Sequence, residues 1–208
     1  MTQATLRTAR IVLVPLADEH LPGEIELDAD PEVMRHLGPV RSAEEVRAVH
    51  GRRLAVARQA PGLGFWAGLV GGEFVGWWLL EPPQRPDQGP VAGQAELGYR
   101  LLRRWWRRGL ASEGARELVR HGFAELGLRR VFAETMAVNV ASRATMAAVG
   151  MRYVRTFHQS WPDPLPGTQW GEVEYEITRA RWVAGAVPTG RGGSAASGGV
   201  EAAGADLA

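Results

Sequence analysis

The chain contains no cysteine, so disulfides, thiolate metal sites and a cysteine nucleophile are excluded together. Lysine is missing as well, and all 24 basic residues are arginines, a usage that GC-rich coding produces. Charge of one sign is not in excess. The formal net charge of +1 argues against a protein built mainly to coat nucleic acid, and leaves a basic-aromatic groove at "RRWWRR" as the weaker reading. No run of about 18 apolar residues is present, and the N-terminus lacks a charged-then-apolar leader. These absences are read as a soluble, cytoplasmic protein with no membrane partner, no nucleic-acid partner and no bound metal.

What is present suffices for one domain. At 208 residues and 45% hydrophobic, the chain can bury a core of its own. From Val183 onward, "VAGAVPTGRGGSAASGGVEAAGADLA" holds too few large residues to offset its ordering entropy, so 1–182 is expected as the domain and 183–208 as a disordered tail.

Apolar patterning within 1–182 alternates between strand-like and helix-like runs. "RIVLVPL" reads as a strand, and "DPEVMRHLG" as a short helix capped by Asp30. "SAEEVRAVHGRRLAVAR" opens with Ser42 and Glu45 at capping-box spacing. "FWAGLV" and "FVGWWLL" flank a glycine pair as a hairpin, and "QAELGYRLL" is a further strand. A helix from Leu110 to Leu126, a strand "RRVFAETM", a capped helix "NVASRATMAAVG" and strands "MRYVRTF" and "GEVEYEITRARW" follow. The order β-α-α-β-β-β-α-β-α-β-β predicts a mixed α/β domain of α+β type, with hairpins and one β-α-β crossover.

The stretch "WWRRGLASEG" carries the chemistry. A helix start has unpaired N–H groups and a partial positive charge, and a glycine there lets an anion approach the backbone. Alone, the same residues fit an arginine-rich surface turn equally well. With "AELGYRLL" before it and "NVASRATMAAVGMRY" after the next strand, the arrangement strongly resembles the GNAT acetyltransferase superfamily. That family's pyrophosphate motif, (Q/R)xxGx(G/A), falls on Trp106 to Ala111, with tryptophan at the first position. The branch it looks most like is the ribosomal-protein N-terminal acetyltransferases, over roughly Arg10 to Trp182.

The resemblance implies a mostly antiparallel central sheet, flanked by helices and splayed at the acyl-CoA site. It implies acetyl-CoA as donor and an amine acceptor, either a small molecule or a protein N-terminus; it leaves a homodimer open. Tyr99, Arg100 and Leu101 would pair their backbone with the pantetheine arm, and Arg107, Arg108, Gly109, Leu110, Ala111 and Ser112 would cradle the diphosphate. Asn139 is at once a helix cap and a cofactor contact in this family. Glu134 ranks first as catalytic base, Glu96 second and His158 third; either glutamate fits an exposed strand position equally well. Ser142 matches a serine offered to the leaving sulfur, and Met146 stands where one branch keeps a tyrosine acid. A base matters most for a lysine-like amine, whose deprotonation at neutral pH takes roughly 3.5 kcal/mol more than that of an α-amine. A stiff loop, "HQSWPDPLPGTQWGE", could wall an acceptor pocket; Glu172, Glu174 and Glu176 share one strand face and are expected to be solvated, with steering of a cationic amine as the alternative. A degenerate member that binds acyl-CoA without turnover is the alternative.

Overall fold

A computed structural model of the chain describes residues 3–161 and 163–186. Among them the elements run β1 (Leu6–Arg7), β2 (Val12–Pro15), α1 (Leu21–Ala29), α2 (Pro31–Met34), α3 (Ala43–Gln59), β3 (Gly64–Val70) and β4 (Glu73–Glu81). They continue as β5 (Gln94–Leu101), α4 (Leu110–Ala124), β6 (Arg130–Met136), α5 (Val140–Ala148), β7 (Arg152–Phe157), β8 (Glu172–Thr178) and α6 (Arg179–Ala186). The local signals explain most boundaries. Asp30 accepts the Glu32 N–H, Ser42 and Glu45 close a capping box, and Gly71 and Gly72 both adopt positive φ in the two-residue turn between β3 and β4.

One eight-stranded sheet has the order β1-β2-β3-β4-β5-β6-β8-β7. The β5·β6 pair is parallel and is bridged by α4; the other described pairings are antiparallel. Over β3, β4, β5, β6 and β8 the sheet is largely buried on both faces, whereas β7 is largely exposed. Trp66, Trp78 and Leu80 point into a core with Leu118 and Phe123 of α4, while Phe65, Ala67, Trp77 and Leu79 point oppositely, toward Leu27 and Val33. Gly114 lets α4 lie against Trp78, because a Cβ there would come within 2.5 Å of the indole. Burying each such large side chain stabilises the fold by about 1.5–3 kcal/mol.

Three elements depart from the sequence reading. Helix α1 was not anticipated because its inward face carries Glu24 and Asp28, both 0% exposed, instead of an apolar stripe. Those carboxylates sit in a buried ion network: Arg41, Arg53 and Arg100 converge on Asp28, and His50 and Arg53 on Glu24. The final strand stops at Thr178 rather than running to Trp182, and α6 folds back so that Trp182 meets Phe123 at 5.6 Å. Residues 183–186, placed in the tail by the sequence reading, belong to α6, and the rest of the expected tail, 187–208, lies outside the described residues. Two-residue β1 was also too short to register.

Candidate active site

Rungs between β5 and β6 end at Glu96↔Phe132. Beyond that point Leu97 to Leu101 keep their β4 partners, and Ala133 to Met136 keep their β8 partners, but the two strands face each other across a gap. The open edge of β5 offers backbone groups to an extended ligand. Tyr99, Arg100 and Leu101 line that edge. The Leu101 carbonyl is already taken by the Trp106 indole N–H at 2.8 Å, which gives the tryptophan at the head of the glycine motif a structural task.

At the foot of the gap the chain turns into α4. Arg107 (φ 58) and Gly109 (φ 74) both lie in the left-handed region, a conformation that disfavours arginine and that occurs at ligand-binding turns. The first amide of the turn with an intramolecular acceptor is Glu113, bonded to the Gly109 carbonyl at 3.0 Å. The six N–H groups from Arg107 to Ser112 have no acceptor among the described residues. With the positive end of a 15-residue helix behind them, they fit a diphosphate. The turn is braced from β2's approach: the Arg10 guanidinium donates to the Arg108 carbonyl (2.8 Å) and to Glu113 (2.7 Å), and the Thr8 hydroxyl also reaches Glu113 (2.6 Å). Burial opposes ionisation of Glu113, but these bonds outweigh it and hold the carboxyl below its usual range. Arg108 stacks on Trp105 at 4.7 Å, and the Ser112 hydroxyl bonds the Gly109 carbonyl.

Across the gap, Asn139 caps α5. Its oxygen accepts the Ser142 N–H and its nitrogen donates to the Thr135 hydroxyl, both at 3.1 Å. The Tyr99 hydroxyl crosses from β5 to the same turn, donating to the Ser142 carbonyl at 3.1 Å and lying 3.2 Å from its hydroxyl. Burial pushes the Tyr99 phenol up to about 12, so it stays a neutral O–H donor. Sequence reasoning used only the backbone of Tyr99. The phenol reaches the helix on which Met146 stands.

On the opposite face of β5, carboxylates gather beneath the segment joining β4 and β5. Glu81 and Glu96 are direct cross-strand partners, and Glu134 follows two residues after Phe132. Glu134 has both oxygens held by the Arg85 guanidinium, at 2.9 and 2.7 Å. Glu96 has no arginine partner among the described residues; Gln88 donates to its Oε2 at 3.0 Å. Burial, then Glu134 and Glu81, push the Glu96 carboxyl up to about 8. Burial raises Glu81 too. Arg85, Gln88 and Glu81 were missed because nothing local in "EPPQRPDQG" signals that this segment folds over the carboxylates.

One expectation is corrected. Glu172 and Glu174 are not solvated: they are 4% and 2% exposed. Glu174 pairs with Arg130 and Arg155, Glu176 pairs with Arg130, and Glu172 accepts the Trp161 indole N–H at 2.7 Å. These carboxylates are occupied by their own partners. His158, third among the candidate bases, is exposed beyond β7, 3.4 Å from the Gln169 carbonyl.

The acetyltransferase (GNAT) domain family matches residues 10–152, most of the folded chain. The chain belongs to the GNAT acetyltransferases. It is 44% identical over 185 residues to the FsC-acetyl coenzyme A-N(2)-transacetylase of Aspergillus fumigatus, covering 87% of this chain and 79% of that one. Among solved structures, a GNAT acetyltransferase from Bacillus anthracis superposes with TM-score 0.72 at 19% identity, covering 85% of this chain and 99% of the other. RimL, a ribosomal-protein alpha-N acetyltransferase solved with coenzyme A, superposes at 0.68 and 19% identity, covering 82% and 95%. This GNAT protein is an N-acetyltransferase with acetyl-CoA as its donor. No helix among its described residues is long and apolar enough to cross a membrane.

Proposed function

We propose that the enzyme acetylates the primary amine of a small molecule by direct attack, with Glu96 as general base. The observation that carries the acceptor class is the 44% identity across most of both chains to a transacetylase that modifies an N(2) position of FsC. A protein N-terminus is the second acceptor class, favoured only by likeness of fold to RimL.

Acetyl-CoA supplies a thioester, and the protein supplies the rest. Amides of residues 107–112 hold the diphosphate, and the open edge of β5 takes the pantetheine arm through Tyr99 to Leu101. A β5 peptide N–H polarises the thioester carbonyl, as donors aimed at developing charge do. Glu96 takes the proton that the neutral amine loses as its nitrogen lone pair attacks the thioester; a carboxyl with a pKa near 8 is better matched to an amine than an ordinary glutamate. Glu134, although first by sequence, is tied up by Arg85, so in this reading it tunes Glu96 instead of acting itself. As the C–S bond breaks, the Ser142 hydroxyl, buttressed by the Tyr99 phenol, donates a hydrogen bond to the sulfur, which leaves as the thiolate and takes its proton from solvent. Residues up to about 182 act as the catalytic domain, in the cytoplasm; the reading needs no second copy.

The test is acceptor-dependent thiol release from acetyl-CoA, with FsC, spermidine and short unblocked peptides compared and products weighed by mass spectrometry. Gain of one acetyl group on a small amine, faster than on peptides, is the expected result. Faster peptide acetylation would move the acceptor to the second class, and no thiol release with any acceptor would sink the proposal.

A further inference from the structure

We propose that Gln88 is a positioning residue for proton transfer: it caps Oε2 of Glu96 and leaves Oε1 as the atom that takes the proton of the attacking amine. This rests on the reading of Glu96 as the base.

The orientation of the Gln88 amide is forced by its surroundings. Gln88 is 2% exposed, and its side-chain oxygen accepts the backbone N–H groups of Gln84 (2.7 Å) and Arg85 (3.0 Å). Turning the amide over would set its NH2 against two N–H donors, so the nitrogen must face Glu96 Oε2, 3.0 Å away. Its main chain is fixed too, because the Gln88 carbonyl accepts from Arg130 Nη1 at 3.0 Å. The surrounding segment is clamped by Arg85 to Glu134 and by Arg155 to Asp87. Oε1 of Glu96 meets no donor among the described residues.

The charged groups facing this carboxyl are Glu81 from β4, Glu134 from β6 and the Arg85 guanidinium from the covering segment. Burial and the two carboxylates disfavour ionisation, whereas the Gln88 hydrogen bond and Arg85 favour it. A donor bonds an ionised oxygen more strongly than a neutral one, so Gln88 keeps the basic form within reach of neutral pH. During transfer the proton passes from the amine nitrogen to Oε1 while the new N–C bond forms and the C–S bond breaks. The Gln88 N–H stays on Oε2 before and after.

The discriminating variant is Gln88→Glu, whose carboxylate still accepts from Gln84 and Arg85 but presents an oxygen to Oε2. Carboxyl-carbon NMR on protein labelled at glutamate reads the Glu96 titration directly, with Glu96→Gln assigning the resonance. The expected midpoint near 8 in the wild type moves up by about one pH unit, equivalent to a tenfold shift in the proton equilibrium. kcat at pH 7 falls correspondingly and recovers toward the wild type at alkaline pH. An unmoved midpoint, or an equal loss at every pH, overturns the proposal. Should the variant fail to fold, the wild-type Gln88 side-chain amide is followed by nitrogen NMR: its signal must titrate with Glu96 and stop doing so in Glu96→Gln. A signal that does not titrate overturns the proposal. Full activity of Glu96→Gln would sink the base reading itself, whereas an inactive Glu96→Gln with unmoved Gln88 signals would sink this proposal alone.

Discussion

The two ends of the β5–β6 gap are built from different materials. At the α4 end, the proposed diphosphate cradle is made of peptide N–H groups from six consecutive residues, none of which has a backbone acceptor among the described residues. At the paired end, the chemistry is in side chains drawn from β4, β5, β6 and the segment between β4 and β5. The contrast teaches that a backbone site tolerates side-chain exchange but not a change in backbone conformation, while a side-chain site behaves the other way round.

The largest effect is expected from Glu96→Gln, which removes the proposed base: kcat falls by about 10²–10⁴, the range for a positioned proton acceptor, with KM for acetyl-CoA unchanged. Steady-state rates check this, with Glu134→Gln as the comparison, which loses less. The same substitution has a stability signature. The folded pKa of Glu96, about 8, lies above the ordinary value of 4.5, so the fold holds a proton that the unfolded chain has released across that window, and stability falls as pH rises through it. Glu96→Gln therefore raises Tm at pH 8, and thermal melts find the difference gone near pH 4.

A backbone perturbation of the cradle comes next. Gly109→Ala has room, since its Cβ would meet only Arg10 at 3.4 Å, but φ +74 is unfavourable for an L-residue by roughly 1–2 kcal/mol. The expected outcome is an increase of about tenfold in KM for acetyl-CoA with little change in kcat. The smallest effect belongs to Arg108→Ala, which loses an exposed cation–π contact with Trp105 worth about 0.5–1 kcal/mol and leaves the amides in place. Calorimetry should find acetyl-CoA affinity reduced about threefold or less. If Arg108→Ala weakens binding more than Gly109→Ala, the contrast between the two ends breaks.

This difference in materials also decided what could be read from the sequence. The cradle is contiguous, so "RRGLAS" after a strand and before an amphipathic helix was legible. Strand pairing around it followed from glycine turns and alternation. The carboxylate end was legible only as candidates. Whether Glu134 or Glu96 is unencumbered depends on Arg85, 49 residues from Glu134, and on Gln88, both on a proline-rich segment without periodicity. Glu174 looked solvated because its cations, Arg130 and Arg155, are distant in sequence. Helix α1 was hidden because its buried face is ionic, satisfied by Arg53 of α3 and Arg100 of β5.

The account stands most directly on where coenzyme A sits, and a crystal structure of the complex at saturating ligand measures it. The diphosphate is predicted within hydrogen-bonding distance of the amides of residues 107–112, with the pantetheine arm along Leu97 to Leu101. Density for the diphosphate in the cleft of about 730 Å³ lined by Asp30, Arg103 and Arg104 instead, with those amides unbound, would contradict it.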